Sequence, residues 1–292
     1  MTHSANATAG KHPQWDTVAI VGVGLIGGSI GLDLLRLGLA RHVVGIGRRE
    51  ESLHVARQMG ACTSTTIDLP QGLADAQLVI VCTPIGRVVQ DVVAAASFAK
   101  IGALITDVGS TKGAIVGELD RELPHEAHFV GSHPLAGGEK AGPGAAVAGL
   151  FVKRNVVVTP GTMTRPEDVQ TITTLWQALG AKVLTMSPAE HDKLVAGASH
   201  VPHLVAAALV SGTPRESLSL VAGGWIDTTR IAAGDPELWR DILLSNRANV
   251  LATLDGVDAA LAKFRQALAT DDGPALVALL QDAKRTRDAV GS

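Results

Sequence analysis

The 292-residue sequence contains no tyrosine, and aromatic residues make up only 3% of it. Its hydrophobic core must therefore be built from the Ala, Val, Leu and Ile that dominate an apolar fraction of 46%. Charged residues are also sparse, at 18%, and such a composition is typical of a globular protein rather than a disordered one. At roughly 100 to 200 residues per domain, the length predicts two domains.

Neither sign of charge dominates, since the net charge is only −3. Because a protein that binds a phosphate backbone needs a basic face, we expect no nucleic-acid partner. Cysteine is rare as well: Cys62 and Cys82 form no CxxC pair, which favours buried thiols in a reducing compartment.

Long uninterrupted apolar runs are missing from the chain. The segment from Met1 to Lys11 is polar and lacks the apolar region of a secretory signal. Glycines, Asp33 or His200 interrupt the most apolar stretches before they reach the roughly 20 residues that span a bilayer. The sequence thus predicts a cytoplasmic protein without a membrane segment.

Short β-branched runs alternate with longer amphipathic segments up to about Met186, a pattern typical of βαβ units and a mainly parallel, doubly wound sheet. After Ser187 the pattern becomes helical and rich in Ala and Leu, which predicts an all-helical second domain. A helical domain this rich in Ala and Leu exposes apolar surface, which favours a homodimer formed through that domain. We expect a flexible tail over 1–15, a dinucleotide-binding domain over 16–187 and a helical domain over 188–292. The predicted strands are Thr17–Val21, His42–Ile46, Leu78–Cys82, Ala103–Asp107, His128–Gly131, Asn155–Val158 and Lys182–Thr185.

The first predicted strand runs directly into a GxGxxG motif that opens an apolar helix. Gly22 permits the tight turn, Gly24 lets the backbone approach a pyrophosphate, and Gly27 allows close packing of helix on sheet. Leu25 and Ile26 begin the helix, whose N-terminus favours the diphosphate. This context predicts a dinucleotide site, although glycine-rich turns also occur without one.

Cofactor preference is indicated by the end of the second strand, where an acid would bond the ribose 2′-hydroxyl of NAD. The chain has Arg48 and Arg49 there, and guanidinium groups suit the 2′-phosphate of NADP. We therefore expect NADP to be preferred to NAD. The alternative is that the two arginines are solvated and face nearby glutamates. Thr83 and Pro84, after the third predicted strand, are candidates to line the nicotinamide and ribose, or form a plain turn.

Two later loops leave the same edge of the sheet, around Ser110 and around His133. A histidine at a strand end is a candidate general base, because its ordinary pKa of about 6.5 lets it accept a proton near neutrality. Ser110 is a candidate for catalysis, but it or Thr111 is also a good N-cap for the following helix. His200 and His203 lie three apart, yet Pro202 intervenes and no third ligand appears, so no metal is expected.

At these motifs the chain resembles the prephenate/arogenate dehydrogenases of tyrosine biosynthesis. The resemblance runs from about residue 17 to 247, with its motifs in family order. A GxGxxG motif alone would not distinguish this family from other dehydrogenases, but the combination of motifs does. The matching segments are Val21–Ser29, Asp107–Lys112, Gly131–Gly137, Ser199–His203 and Asp227–Ala232.

The resemblance implies a Rossmann-like domain followed by a helical dimerisation domain, and an oxidative decarboxylation of prephenate or arogenate with NAD(P). It implies that His133 accepts the proton of the ring hydroxyl and that Ser110 orients the histidine and touches the same hydroxyl. Arg230 matches the arginine that grips a substrate carboxylate, with an ion pair to an aspartate as the alternative. His203 matches a histidine near the substrate side chain, or packs in the core, and Glu139 helps to close the site. Gly138 departs from the more usual Thr or Ser.

Two other classes of function stay open beside this one. A different Rossmann dehydrogenase with a helical domain, of the 3-hydroxyacid or imine type, would be expected to bring another motif in place of GSHP. A non-catalytic dinucleotide sensor would need the glycines but not the combination of His133, Ser110 and Arg230. We interpret His191, Trp239 and Arg240 as structural or dimer-interface residues.

Overall fold

The computed structural model describes residues 15–138 and 142–291, and the fold is given for these ranges. The strands are β1 (Trp15–Val21), β2 (Ala40–Ile46), β3 (Ser64–Thr66), β4 (Leu78–Val81), β5 (Leu104–Asp107), β6 (His128–Pro134), β7 (Asn155–Thr159) and β8 (Lys182–Thr185). The helices are α1 (Leu25–Arg36), α2 (Glu50–Gln58), α3 (Leu69–Leu73), α4 (Val88–Phe98), α5 (Gly113–Glu122), α6 (Pro166–Ala178), α7 (Pro188–Val195), α8 (Val201–Gly212), α9 (Gly223–Thr229), α10 (Pro236–Ser245), α11 (Arg247–Ala269) and α12 (Gly273–Val290).

The eight strands form one sheet in the order β3-β2-β1-β4-β5-β6-β7-β8. Every pairing is parallel except β6 with β7, which is antiparallel. The strand order reverses between β1 and β4, and ligands of doubly wound sheets bind at the carboxyl ends of the strands near this switch point. This sheet confirms the predicted fold class.

Apolar side chains cover both faces of the sheet, which explains why its central strands are almost continuously hydrophobic. On one face, Ile20, Ile80 and Val158 pack in a buried cluster against α1 and α6, where Trp176 is fully buried. On the other face, residues such as Val79 and Ile105 pack against α3, α4 and α5. The seven predicted strands are all present.

Strand β3 is the one described strand that was not predicted. It has only three residues, Ser64–Thr66, and none of them is strongly hydrophobic. It pairs with β2 alone at the edge of the sheet, so its stability depends on backbone pairing rather than on an apolar pattern. Of the predicted flexible tail, residues 1–14 lie outside the described residues, and Trp15 begins β1.

Beyond β8 the described chain is helical, which confirms the predicted second domain. Its small core contains Ala196, Val201 and Val250. Helices α7 and α8 join through a π-helical turn, Ala196–His200, and run as one helical stretch. π-Helical turns inserted in helices occur frequently at functional sites.

By length and composition alone, the helical stretch Pro188–Gly212 could cross a membrane. The sequence pattern predicted no such stretch, because His200 interrupts its apolar run. Asp192, His200 and His203 are nevertheless buried in the protein interior, as polar residues are in a core helix of a globular domain. The absence of a membrane partner stays a prediction.

Candidate active site

The glycine-rich turn after β1 has the geometry that the motif predicts. Gly22 has a φ of +96°, and a Cβ there would lie 2.7 Å from the carbonyl oxygen of Cys82. A Cβ on Gly27 would collide with the carbonyl oxygen of Gly22. Substituting either residue would therefore push β4 or α1 away from the turn.

A cleft of about 450 Å³ opens beside this turn. Six of the predicted cofactor residues line it, namely Gly22, Gly24, Arg48, Arg49, Thr83 and Pro84. Leu25, Ile26 and Gly27 lie at the start of α1, outside the described lining of the cleft.

The residues of the cleft fit a dinucleotide. A Cβ on Gly24 would meet no protein atom within 4 Å, so the backbone at the N-terminus of α1 is open to a ligand. The hydroxyl of Thr83 is buried and has no hydrogen-bond partner in the described structure. A backbone cradle at a helix N-terminus, with a polar group left to pair, suits a diphosphate and its ribose.

Arg48 and Arg49 are exposed at the end of β2, where they share the cleft with Ser52. Within the described ranges neither arginine forms an ion pair, an arrangement that suits a 2′-phosphate contact and the alternative of a solvated pair equally well. Arg87 and Asp91 also line the cleft, with their charged groups 2.9 Å apart. Sequence reasoning missed this pair, because its spacing on a helix resembles an ordinary surface ion pair.

Asp107, at the end of β5, ties together the two loops that sequence analysis singled out. One carboxylate oxygen accepts a hydrogen bond from the backbone of Ser132 at 3.3 Å, and the other accepts one from the backbone of Gly109 at 2.8 Å. The ammonium group of Lys112 pairs with the same carboxylate and donates to the Ser132 carbonyl at 3.1 Å. Lys112 and Asp107 are fully buried, and a buried pair this well bonded fixes the geometry around it.

His133 lies one residue before the end of β6 and is only 8% exposed. Its Nδ1 lies 2.9 Å from Nε2 of His191, which is fully buried on α7. Nδ1 of His191 lies 2.8 Å from a carboxylate oxygen of Asp192. His191, interpreted from the sequence as structural or interfacial, thus lies inside the protomer in contact with the candidate base.

Asp192 in turn holds the start of α5. Its two carboxylate oxygens accept hydrogen bonds from the backbone N–H groups of Lys112, at 2.7 Å, and of Gly113, at 2.8 Å. Burial raises the pKa of Asp192, but the bonds from His191 and from these N–H groups outweigh burial and lower it. The carboxylate is therefore ionised at neutral pH.

Ser110 is half-buried in the loop before α5, where capping was the alternative to catalysis. α5 has no side-chain cap, because Asp192 bonds its first N–H groups. In the described part of the chain the Ser110 hydroxyl makes no hydrogen bond, and His191, not Ser110, is the side chain bonded to His133. Its catalytic role stays a prediction.

His203 is buried on α8 and stacks on Trp239, with ring centroids 3.5 Å apart. Gly234 lies against both rings, since a Cβ there would lie 2.5 Å from the indole nitrogen and 3.0 Å from Cε1 of His203. Nδ1 of His203 is buried without a partner among the described residues. Arg230 is exposed on the 3₁₀ turn Arg230–Ala233, which packs against α8. Glu139 lies outside the described residues.

Burial lowers the pKa of His133 well below its ordinary value, and positive charge on His191, Lys112 or His200 would lower it further. Burial also lowers the pKa of His200 to about 4. Both rings are therefore neutral at neutral pH, and His133 is free to accept a proton.

These two histidines predict how stability depends on pH. In the unfolded chain each of these histidines titrates near pH 6.5. Below that pH the unfolded state therefore binds protons that the folded state does not bind. The free energy of unfolding should fall by about 1 kcal/mol for each histidine between pH 7.5 and 5.5. Thermal unfolding at the two values measures this, and His200→Gln should make the fall smaller. A stability that is the same at both values would contradict the burial of neutral rings.

The sheet, the glycine turn and the cleft define a dinucleotide-binding dehydrogenase with a helical second domain. Residues 30–185 match the nucleotide-binding domain of prephenate dehydrogenases, and residues 187–282 match their dimerization domain. The chain belongs to the prephenate dehydrogenase family, and its cofactor is a nicotinamide dinucleotide.

Individual relatives agree with this assignment. The chain is 36% identical over 283 residues to the prephenate dehydrogenase of Bacillus subtilis, covering 94% of this chain and 76% of that protein. The crystal structure of prephenate dehydrogenase from A. aeolicus, in complex with hydroxyphenyl propionate and NAD+, superposes with a TM-score of 0.87 at 31% identity, covering 94% and 98% of the two chains. Synechocystis arogenate dehydrogenase gives 0.80 at 30%, covering 94% and 99%.

Proposed function

We propose that this enzyme oxidatively decarboxylates prephenate, arogenate or both, and that it prefers NADP. The observation that carries the proposal is the position of His133, neutral and buried at the carboxyl edge of the same sheet whose β1 and β4 ends form the dinucleotide cleft. A base at this edge can act on a substrate that a bound dinucleotide oxidises.

His133 accepts the proton of the ring hydroxyl as that carbon becomes a carbonyl. Ser110, in the adjacent loop, hydrogen-bonds the same hydroxyl. Arg230 binds a substrate carboxylate, His203 lies near the substrate side chain, and Glu139 helps to close the site. The cleft lined by Gly22, Gly24 and Thr83 would hold the dinucleotide, which would supply the hydride acceptor. The ring carboxylate leaves as carbon dioxide, and its bonding electrons complete an aromatic ring.

The test is turnover of prephenate and of arogenate, each with NAD and with NADP, followed as reduced dinucleotide and as carbon dioxide. Reduced dinucleotide and carbon dioxide are expected in equal amounts from at least one of the two substrates. Binding of the dinucleotide without turnover of either substrate would instead favour a sensor, and turnover of neither with activity on a 3-hydroxyacid would favour another dehydrogenase.

The preference for NADP rests on Arg48 and Arg49, since each charge-assisted contact to a 2′-phosphate contributes about 1.5 to 3 kcal/mol before screening by salt. One engaged arginine favours NADP by about ten-fold or more. Replacing both with Ala should remove most of this preference while kcat with saturating NAD stays nearly unchanged. Rising ionic strength should raise KM for NADP more than KM for NAD.

Arg57→Ala is the matched control, because Arg57 is an exposed arginine on α2, the helix that follows Arg48 and Arg49, but does not line the described cleft. Fluorescence titration with each dinucleotide gives the affinities independently of turnover. Equal kcat/KM for the two cofactors in the unmodified enzyme, or a preference for NAD, would contradict the proposal. Both arginines would then be solvated loop residues.

We further infer that the enzyme is a cytoplasmic homodimer joined through its helical domain. The helical domain carries exposed leucines that a monomer would leave in water, among them Leu220, Leu261 and Leu268. Cys62 and Cys82 are free thiols, which suits a reducing compartment.

A further inference from the structure

A line of three side chains, His133, His191 and Asp192, leads from the candidate base to the N-terminus of α5. Nδ1 of His133 lies 2.9 Å from Nε2 of His191, and Nδ1 of His191 lies 2.8 Å from a carboxylate oxygen of Asp192. His133 and His191 are 58 positions apart in the sequence. Both rings are buried, and each is bonded through a specific nitrogen. The line therefore constrains where each proton lies.

The direction of each hydrogen bond follows from Asp192. Its oxygens already accept the N–H groups of Lys112 and Gly113, so it is an ionised acceptor and His191 must donate through Nδ1–H. When His191 is neutral, its Nε2 carries a lone pair and accepts a hydrogen bond from His133. His133 consequently carries its proton on Nδ1 and keeps its lone pair on Nε2.

We propose that His191 and Asp192 are positioning residues that fix the Nδ1–H tautomer of His133, so that its Nε2 is the atom that accepts the substrate's hydroxyl proton. The role in the reaction rests on the proposed function, whereas the tautomer itself does not. The opposite tautomer would present an N–H to the hydroxyl and could not accept its proton.

The proton transfer itself is balanced within this arrangement. The O–H bond breaks, an Nε2–H bond forms, and the electron pair stays on oxygen to become part of the carbonyl as the hydride leaves the carbon. His133 then becomes an imidazolium whose Nδ1–H still donates to His191. The charged and titratable groups facing it are His191, Lys112 and His200, and Lys112 is paired with Asp107. Asp192, at the end of the line, supplies negative charge that stabilises the imidazolium.

Substitutions at His191 separate the hydrogen bond from the volume of the ring. The amide of Gln reaches the position of Nε2 and can still accept from His133, whereas the amide of Asn reaches only the position of Nδ1 and bonds Asp192 alone. His191→Asn should lower kcat about 10- to 30-fold with KM within about two-fold, and His191→Gln should stay within about three-fold of the parent. Asp192→Ala removes the acceptor of the His191 Nδ1–H, so neither tautomer of the two rings is then held.

The direct readout is the ¹⁵N NMR spectrum of histidine-labelled enzyme at pH 7.5, which distinguishes protonated from unprotonated ring nitrogens. The His133 signals are identified by their loss in His133→Asn. We expect a protonated Nδ1 in the parent and a mixture of the two tautomers in Asp192→Ala and in His191→Asn.

His128→Asn is the control, because His128 begins the same strand and pairs with Asp168 at 2.9 Å, away from His133. It should leave kcat and the His133 signals unchanged. A protonated Nε2 in the parent would overturn the proposal even if no variant at His191 or Asp192 folds, and so would equal kcat for the Gln and Asn variants at His191. An enzyme with the expected tautomer that turns over neither substrate would instead refute the proposed function and leave the positioning intact.

Discussion

Replacing His133 with Asn is expected to lower kcat by about 100-fold or more while dinucleotide affinity stays nearly unchanged. Asn can place its amide near the position of Nδ1 and keep the bond to His191, but it has nothing at the position of Nε2. The substitution therefore removes the proton acceptor and leaves most of the surrounding structure intact. Steady-state kinetics at pH 7.5 give kcat, and fluorescence titration gives the dinucleotide affinity.

His125→Asn is a suitable control, since His125 is exposed in the loop before β6. The parent should also remain active below pH 6.5, because burial lowers the pKa of His133 and keeps the base unprotonated there. A His133→Asn variant that keeps more than half of the parent kcat would eliminate His133 as the base.

The glycine turn and the sheet were predictable because their signals are local. Gly22 and Gly27 follow one strand and enter one helix, where Gly22 adopts a positive φ and Gly27 packs against the carbonyl oxygen of Gly22. The parallel sheet follows from apolar runs separated by amphipathic segments, a pattern visible without any long-range contact. Strand β3 was missed for the same reason, since its three residues carry no such signal.

The partners of His133 were not predictable, because they come from another part of the chain. His191 and Asp192 lie at the start of the helical half, and only the packing of α7 against the start of α5 brings them to β6. An adjacent His–Asp pair on an amphipathic helix was the available signal, but it occurs as often on a solvated surface. The absence of a local side-chain cap on α5 has the same origin, since a distant carboxylate bonds the N–H groups for which Ser110 or Thr111 was the alternative cap.

In the helical half, one candidate site residue also takes part in packing. His203 stacks on Trp239, which is the packing role considered from the sequence, and its Nδ1 remains without a partner among the described residues. The π-helical turn before α8 ends at His200, whose ring meets Asn246 at 3.2 Å, while Asn246 also bonds the Asp192 carbonyl. These bonds connect the π-helical turn to the backbone of Asp192.

Replacing Arg230 with Ala is expected to raise KM for the cyclohexadienyl substrate by about 30- to 1,000-fold, with a smaller change in kcat. An arginine that binds a carboxylate acts in the ground state and in the transition state alike, so its loss is seen mainly as lost binding. The cost is on the order of 2 to 4 kcal/mol, because the carboxylate is left without its charged partner. Arg230→Lys should recover part of the loss, since an ammonium keeps the charge but not the bidentate geometry.

Arg240→Ala is the control for this experiment. Arg240 is an exposed arginine on the neighbouring helix α10, where it pairs with Glu237 and Asp241, and its replacement should leave KM unchanged. Thermal unfolding of the Arg230 variant separates binding from folding, because Arg230 lies at the surface of a turn that packs on α8. If KM stays at the parent value while Tm falls sharply, Arg230 stabilises that turn and the substrate carboxylate must be bound elsewhere.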